Sequence, residues 1–146
     1  MTAYLTNKAQ PGVQPKFIHD GDVAVGCVYT FGTTGLPTLA VGDTFQLCTV
    51  PAGCTITGMT FDIDKIDSSG SPTIKLNVGD AGNASRFLSQ STIGQVGGYS
   101  VPNINGGMLF SYAVNTPLFI TVQTAAAAAV PANANIRVIV NYSADP

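Results

Sequence analysis

Residues 61–82 read FDIDKIDSSGSPTIKLNVGDAG, a run that carries four of the chain's eight acidic residues: Asp62, Asp64, Asp67 and Asp80. The run admits two readings, an acidic metal or catalytic site, or a β-hairpin whose outer face is acidic. Side chains alternate across a strand, so Phe61 and Ile63 share one face while Asp62 and Asp64 share the other. The same parity sends Ile74, Leu76 and Val78 inward and Thr73, Lys75 and Asn77 outward. The turn residues Gly70-Ser71-Pro72 then predict a hairpin tip, with Asp62 and Asp64 across from Asn77 and Lys75.

The same period of two recurs along the chain. Val23, Val25, Cys27, Tyr29 and Phe31 form one face of a first strand, and TTGLPT ends it. Phe45 and Leu47 mark a strand over about 43–50, and Pro51-Ala52-Gly53 turns the chain. A third strand covers about 54–66, with Met59, Phe61 and Ile63 inward; Ile56 is out of phase with them, which predicts a bulge at Gly58. MLFSYAV (108–114), LFITVQT (118–124) and IRVIVNY (136–142) predict three more strands, with Met108, Phe110, Tyr112 and Val114 on one side of the first. SRFLSQST is read as a short ordered piece and GQVGGYSVPNINGG as an irregular loop. The five alanines 125–129 are too few for an isolated helix and read as a strand end plus a connection.

Composition agrees. Charged residues make up 10% of the 146 residues, against roughly 25% in an average soluble domain. There is no Glu, while Thr and Gly each number sixteen, a balance that suits strands and turns rather than exposed helix faces. The expected fold is all-β: a two-sheet antiparallel sandwich, jelly-roll-like or immunoglobulin-like, over residues 23–146. Residues 1–22, with Pro11 and Pro15, are expected to form an extended N-terminal arm outside most of the core. Deleting residues 1–20 is expected to leave folding intact and to weaken partner binding. Tyr4, Leu5, Val13, Phe17 and Ile18 are its candidate partner-binding residues.

Function classes narrow in the same way. Six basic residues, scattered, against eight acids give a net charge of −2, and no basic stripe exists to neutralise phosphates, so no nucleic-acid partner is expected. No run approaches the roughly 18–20 apolar residues of a membrane helix, and the first residues lack a cationic start followed by an apolar run. Cys27, Cys48 and Cys54 are read as buried reduced thiols, with a Cys48–Cys54 bridge across TVPAG as the alternative. His19 is the only histidine; it sits in the arm, and no GxSxG, P-loop or GxGxxG motif is present, so no enzyme and no cofactor are expected. Asp62, Asp64, Asp67 and Asp80 with loop carbonyls could supply part of a calcium shell of six to eight oxygens, but their spacing is not that of an EF-hand. A solvated acidic strand face is the preferred reading. Arg86 is expected to clamp Asp80 or a loop carbonyl, with Phe87 driven inward.

The run DSSGSPTIKLNVGDAGNASRF (67–87) resembles small virion proteins of tailed phages, in particular head decoration or cement proteins. VPAGCTITGMTFDID (50–64) and IRVIVNY share that style. The resemblance implies a jelly-roll-type sandwich on the outside of an assembled capsid, tying neighbouring major capsid subunits together. The expected setting is therefore the virion surface, after assembly in the host cytoplasm, with the major capsid protein as partner and a dimer or trimer as the oligomer. The competing expectation is a glycan-binding tail or fibre module, for which Tyr4, Tyr99 and Tyr112 would have to be exposed together.

Overall fold

The computed structural model describes residues 1–12, 21–100 and 106–144. The elements are β1 (Ala3–Leu5), β2 (Asp22–Thr30), β3 (Thr44–Val50), β4 (Cys54–Ile63), β5 (Lys75–Gly79), β6 (Leu88–Ser91), the single-turn α1 (Ile93–Val96), β7 (Gly98–Ser100), β8 (Ser111–Tyr112), β9 (Thr116–Thr124) and β10 (Asn135–Ala144). One sheet runs β1-β3-β9-β5-β6 and the other β2-β10-β4-β7, with β8 added beside β4.

The pairing explains the topology. β2 pairs antiparallel with β10, β3 with β9, β4 with β7, and β5 with β6. These four pairs are the rungs of one long folded hairpin, whose chain reverses between β5 and β6. Rolling that ribbon up brings β10 beside β4 and β9 beside β5, both antiparallel. Consecutive rungs then alternate between the two sheets, which is the jelly-roll arrangement. The two inner faces meet in a single core with Phe45, Leu47, Phe61, Ile63, Leu118, Ile120, Ile136 and Val140 wholly enclosed.

Most strand faces follow the alternation in the sequence. Val23, Cys27 and Phe31 are buried while Ala24, Gly26 and Val28 face out. The bulge lies where the phase break predicts it: Asn141 pairs with Gly58 and Tyr142 with Ile56, so Thr57 is the extra residue. That insertion lets Ile56 and Met59 both reach the core.

Three expectations are corrected. First, 61–82 is not a hairpin. β4 and β5 lie in different sheets, and residues 64–74 cross the edge of the sandwich, with Ile66 and Asp67 buried in the crossing. Asp62 and Asp64 therefore do not face Asn77 and Lys75. Alternation specifies which side chains turn inward, and two strands from opposite sheets satisfy it as well as a hairpin does. Second, residues 108–114 are not a full strand. Only Ser111–Tyr112 pairs, Leu109 has φ 60°, and Met108 and Val114 are 52% and 67% exposed. Third, part of the irregular stretch after residue 94 is ordered as β7 along β4.

The beginning of the chain is built into the sandwich. β1 adds to β3 in parallel, with Tyr4 opposite Phe45. Thr6 is fully buried; its N–H donates to the Gln46 carbonyl and its hydroxyl to the Leu47 carbonyl. Asn7 then crosses to the other sheet and satisfies both the N–H and the carbonyl of Val28 on β2. Residues 3–7 thus strap the open β2–β3 side, where the prolines and sparse apolar residues of this segment had suggested an extended arm.

Candidate interaction surface

The four aspartates end up in three separate places. Asp62, on the outer face of β4, and Asp64, just past its end, share one guanidinium from the neighbouring β10. Arg137 Nε donates to Asp62 at 2.8 Å and its Nη2 to Asp64 at 2.6 Å. Asp64 also accepts from the Asn135 N–H at 2.7 Å. Burial raises the Asp64 carboxyl, and the Arg137 and Asn135 donors outweigh it, so the group titrates below its ordinary value.

Asp67 is fully enclosed and faces no cation. Its two oxygens accept backbone N–H bonds from Ser69, Thr73, Ala127 and Ala128 at 2.9–3.2 Å, with Ile74 at 3.4 Å. Burial pushes its pKa up, but these amide donors more than compensate and the net shift is downward. The alanine run supplies two of the donors, and its small side chains let the crossing chain approach. Ser68 N–H bonds the Ala129 carbonyl in the same contact.

Asp80 anchors the loop after β5. Arg86 Nε donates at 2.6 Å and the Tyr112 hydroxyl at 2.7 Å, while the Gly82 and Asn83 N–H groups take the other oxygen at 2.8 and 2.9 Å. The Arg86 guanidinium lies 3.7 Å over the Phe110 ring, and Phe87 is fully buried, as the sequence reading expected. Burial raises the Asp80 carboxyl, yet Arg86, Tyr112 and Asn83 hold it at about 2. A Cβ on Gly79 would sit 2.0 Å from the Asn83 carbonyl, so the loop folds back against β5 only because that position is glycine.

The calcium alternative therefore meets a plain geometric obstacle. The four carboxylates do not converge, each is engaged by protein donors, and no group of three or more His, Cys, Asp or Glu among the described residues could hold a metal. The three cysteines are free and buried. Cys48 has its pKa raised by a hydrogen bond with Cys27 and by burial, which keeps it a thiol. The tyrosines proposed for glycan binding do not assemble either. Tyr4 is half-buried and stacks on Phe45 at 4.7 Å, Tyr112 is buried, and Tyr99 alone is widely exposed at 69%. Of the candidate partner-binding residues, Tyr4 and Leu5 are half-buried in β1, and Val13, Phe17 and Ile18 lie outside the described residues.

Two surfaces stand out among the described residues. One is the loop around β8, where Met108, Leu109 and Val114 are exposed and no charged residue lies between 106 and 116. The other is the outer face of the β2-β10-β4-β7 sheet. There a groove of about 380 Å³ is lined by Gly26, Val28, Thr60, Tyr99, Arg137 and Ile139, among others. Val28 and Ile139 are apolar yet 39% and 45% exposed. The sequence reading did not single out this face. Its signal was available in IRVIVNY, where an isoleucine occupies an outward slot between Arg137 and Asn141.

No protein-family model matches the chain, and a search of curated proteins finds none. Solved structures do match. The fold overlays a chain in the capsid of Ralstonia phage GP4 with a TM-score of 0.79, at 20% identity and covering 99% of both chains. It overlays a chain of the cyanophage Pam1 capsid asymmetric unit with a TM-score of 0.74, covering 90% of this chain and 91% of that one. Identity to the latter is 30%. The protein is thus a member of that family of phage capsid structural proteins.

Proposed function

We propose that this protein decorates the outside of a phage head and stabilises it by bridging major capsid subunits. The observation that carries this reading is its similarity, over nearly the whole length of both chains, to a component of the Pam1 capsid. The molecule suits the task. Its buried side-chain polar atoms all have hydrogen-bond partners among the described residues, so none of them waits on a shell subunit for a partner. Its weakly charged exterior is inexpensive to desolvate, and an uncharged apolar loop at Met108, Leu109 and Val114 offers contact area. In this reading Val13, Phe17 and Ile18 contribute to a clamp on the shell beyond the strap at residues 3–7. The protein joins the particle during assembly in the host cytoplasm.

Heads prepared without the protein test it directly. Purified protein is mixed with them, the particles are pelleted, and their rupture temperature is measured. Saturable co-sedimentation together with a higher rupture temperature is the expected result. Protein that stays in the supernatant at every salt concentration would sink the proposal.

A further inference from the structure

Three aspartates are buried among the described residues: Asp43, Asp67 and Asp80. Asp80 pairs with Arg86, and Asp67, which faces no cation, collects five amide donors. Asp43 is served less well. It stands just ahead of β3, 4% exposed, and forms no ion pair among the described residues. The Ala40 N–H donates to its Oδ2 at 2.9 Å and the Thr2 N–H to its Oδ1 at 2.6 Å. Two neutral donors are few for a buried charge whose oxygens have room for about four.

The fold fixes the Thr2 nitrogen on this carboxylate. The Thr2 carbonyl accepts the Thr44 N–H at 2.8 Å, and Ala3 pairs with Thr44 in the parallel register of β1 on β3. Asp43 is held as firmly from the other side: its carbonyl accepts the Val122 N–H at 2.8 Å, and the Gly42 N–H donates to the Val122 carbonyl at 2.9 Å. Met1 adds little, being 96% exposed with its side chain running past Gly42. An amide at Thr2 offers Asp43 one proton and no charge. An α-ammonium in the same place, protonated at neutral pH, offers three protons and a full positive charge. Charge-assisted hydrogen bonds of this kind are about twice as strong as neutral ones. The carboxylate is buried in either case, whereas Thr2 is exposed and its ammonium keeps water on the open side. The pair therefore gains attraction without the second desolvation that makes fully buried ion pairs break even.

We infer that the Met1–Thr2 bond is a processing site, whose hydrolysis leaves a Thr2 α-ammonium paired with Asp43. Methionine followed by a residue as small as threonine is the bond that methionine aminopeptidases cut. Water supplies the second oxygen of the departing methionine carboxylate and the two protons that turn the amide N–H into an ammonium. The new ion pair fastens β1 to the junction of β3 and β9 and so holds Tyr4 on Phe45. The inference is independent of the decoration reading, because it is tested on the free protein.

The intact mass of untagged protein from bacterial cells is expected to lack one methionine residue, with threonine first on N-terminal sequencing. A chain that keeps Met1 overturns the inference. Thr2→Gln places a bulky side chain after Met1, which blocks the aminopeptidase and preserves the amide; the position is exposed, so the fold tolerates it. Asp43→Asn is then compared in the two backgrounds. Its loss of melting temperature is expected to be larger by about 3 °C or more in the processed chain, where a charge pair is broken, than in the chain that keeps Met1. Equal losses in both backgrounds overturn the inference, since Asp43 would then act only as an acceptor for backbone N–H groups.

Discussion

Asp67 shows how much one buried carboxylate can organise. It joins the crossing between the sheets to the alanine turn through five backbone donors, and truncating it takes the acceptor from one buried and four part-buried amides. Asp67→Ala is expected to destabilise the protein by about 3 kcal/mol or more, measured by urea unfolding. Asp62→Ala offers the contrast. Its side chain is 49% exposed in a pair with Arg137, and exposed ion pairs contribute about 1 kcal/mol or less. Equal losses in the two variants would refute this ranking. In the sequence the two residues look alike, both aspartates at the end of an alternating strand. Their difference arises from residues 127, 128 and 137, too far along the chain for any local pattern to connect.

At the scale of the element, the strand at the beginning of the chain matters most. β1 is only three residues long, yet Tyr4 stacks on Phe45 and lies 5.5 Å from Tyr29 and 6.3 Å from Phe31. Removing residues 1–9 takes Tyr4 out of that ring cluster and deletes the buried Thr6 and the Asn7 cap on β2. The expected cost is about 3 kcal/mol, seen as a lower melting temperature by circular dichroism. An unchanged melting temperature would return this segment to the free arm its prolines and sparse apolar residues suggest. The longer strands needed no such help. Their parity was legible because burial of one face imposes a period of two, and the bulge at Gly58 was legible as a break in that period. β8 was misread because MLFSYAV alternates correctly, while the left-handed backbone at Leu109 takes it off the extended path.

For the molecule as a whole, acid is the most informative stress. Asp80 titrates at about 2 in the folded protein, and Asp64 and Asp67 also lie below their ordinary values. Groups depressed by folding contribute their full stability above the unfolded pKa of about 4, and lose it as the pH falls through the folded value. The melting temperature is therefore expected to be level above about pH 5 and to drop between about pH 4 and 2. Asp80→Asn should be less stable at neutral pH and show a shallower acid drop; a profile parallel to wild type would contradict the role of its cluster. The same comparison of scales separates what the chain alone determined from what the packed molecule decided. An all-β sandwich, the inward face of most strands, the Asp80–Arg86 clamp and the resemblance to phage head proteins could be read from the sequence, because parity and short-range turns are local. The partner sheet of each strand, the crossing at 61–82 and the Arg137 bridge could not. Each depends on residues brought together from far along the chain, and the free energy that selects those pairings is burial on two sheets at once.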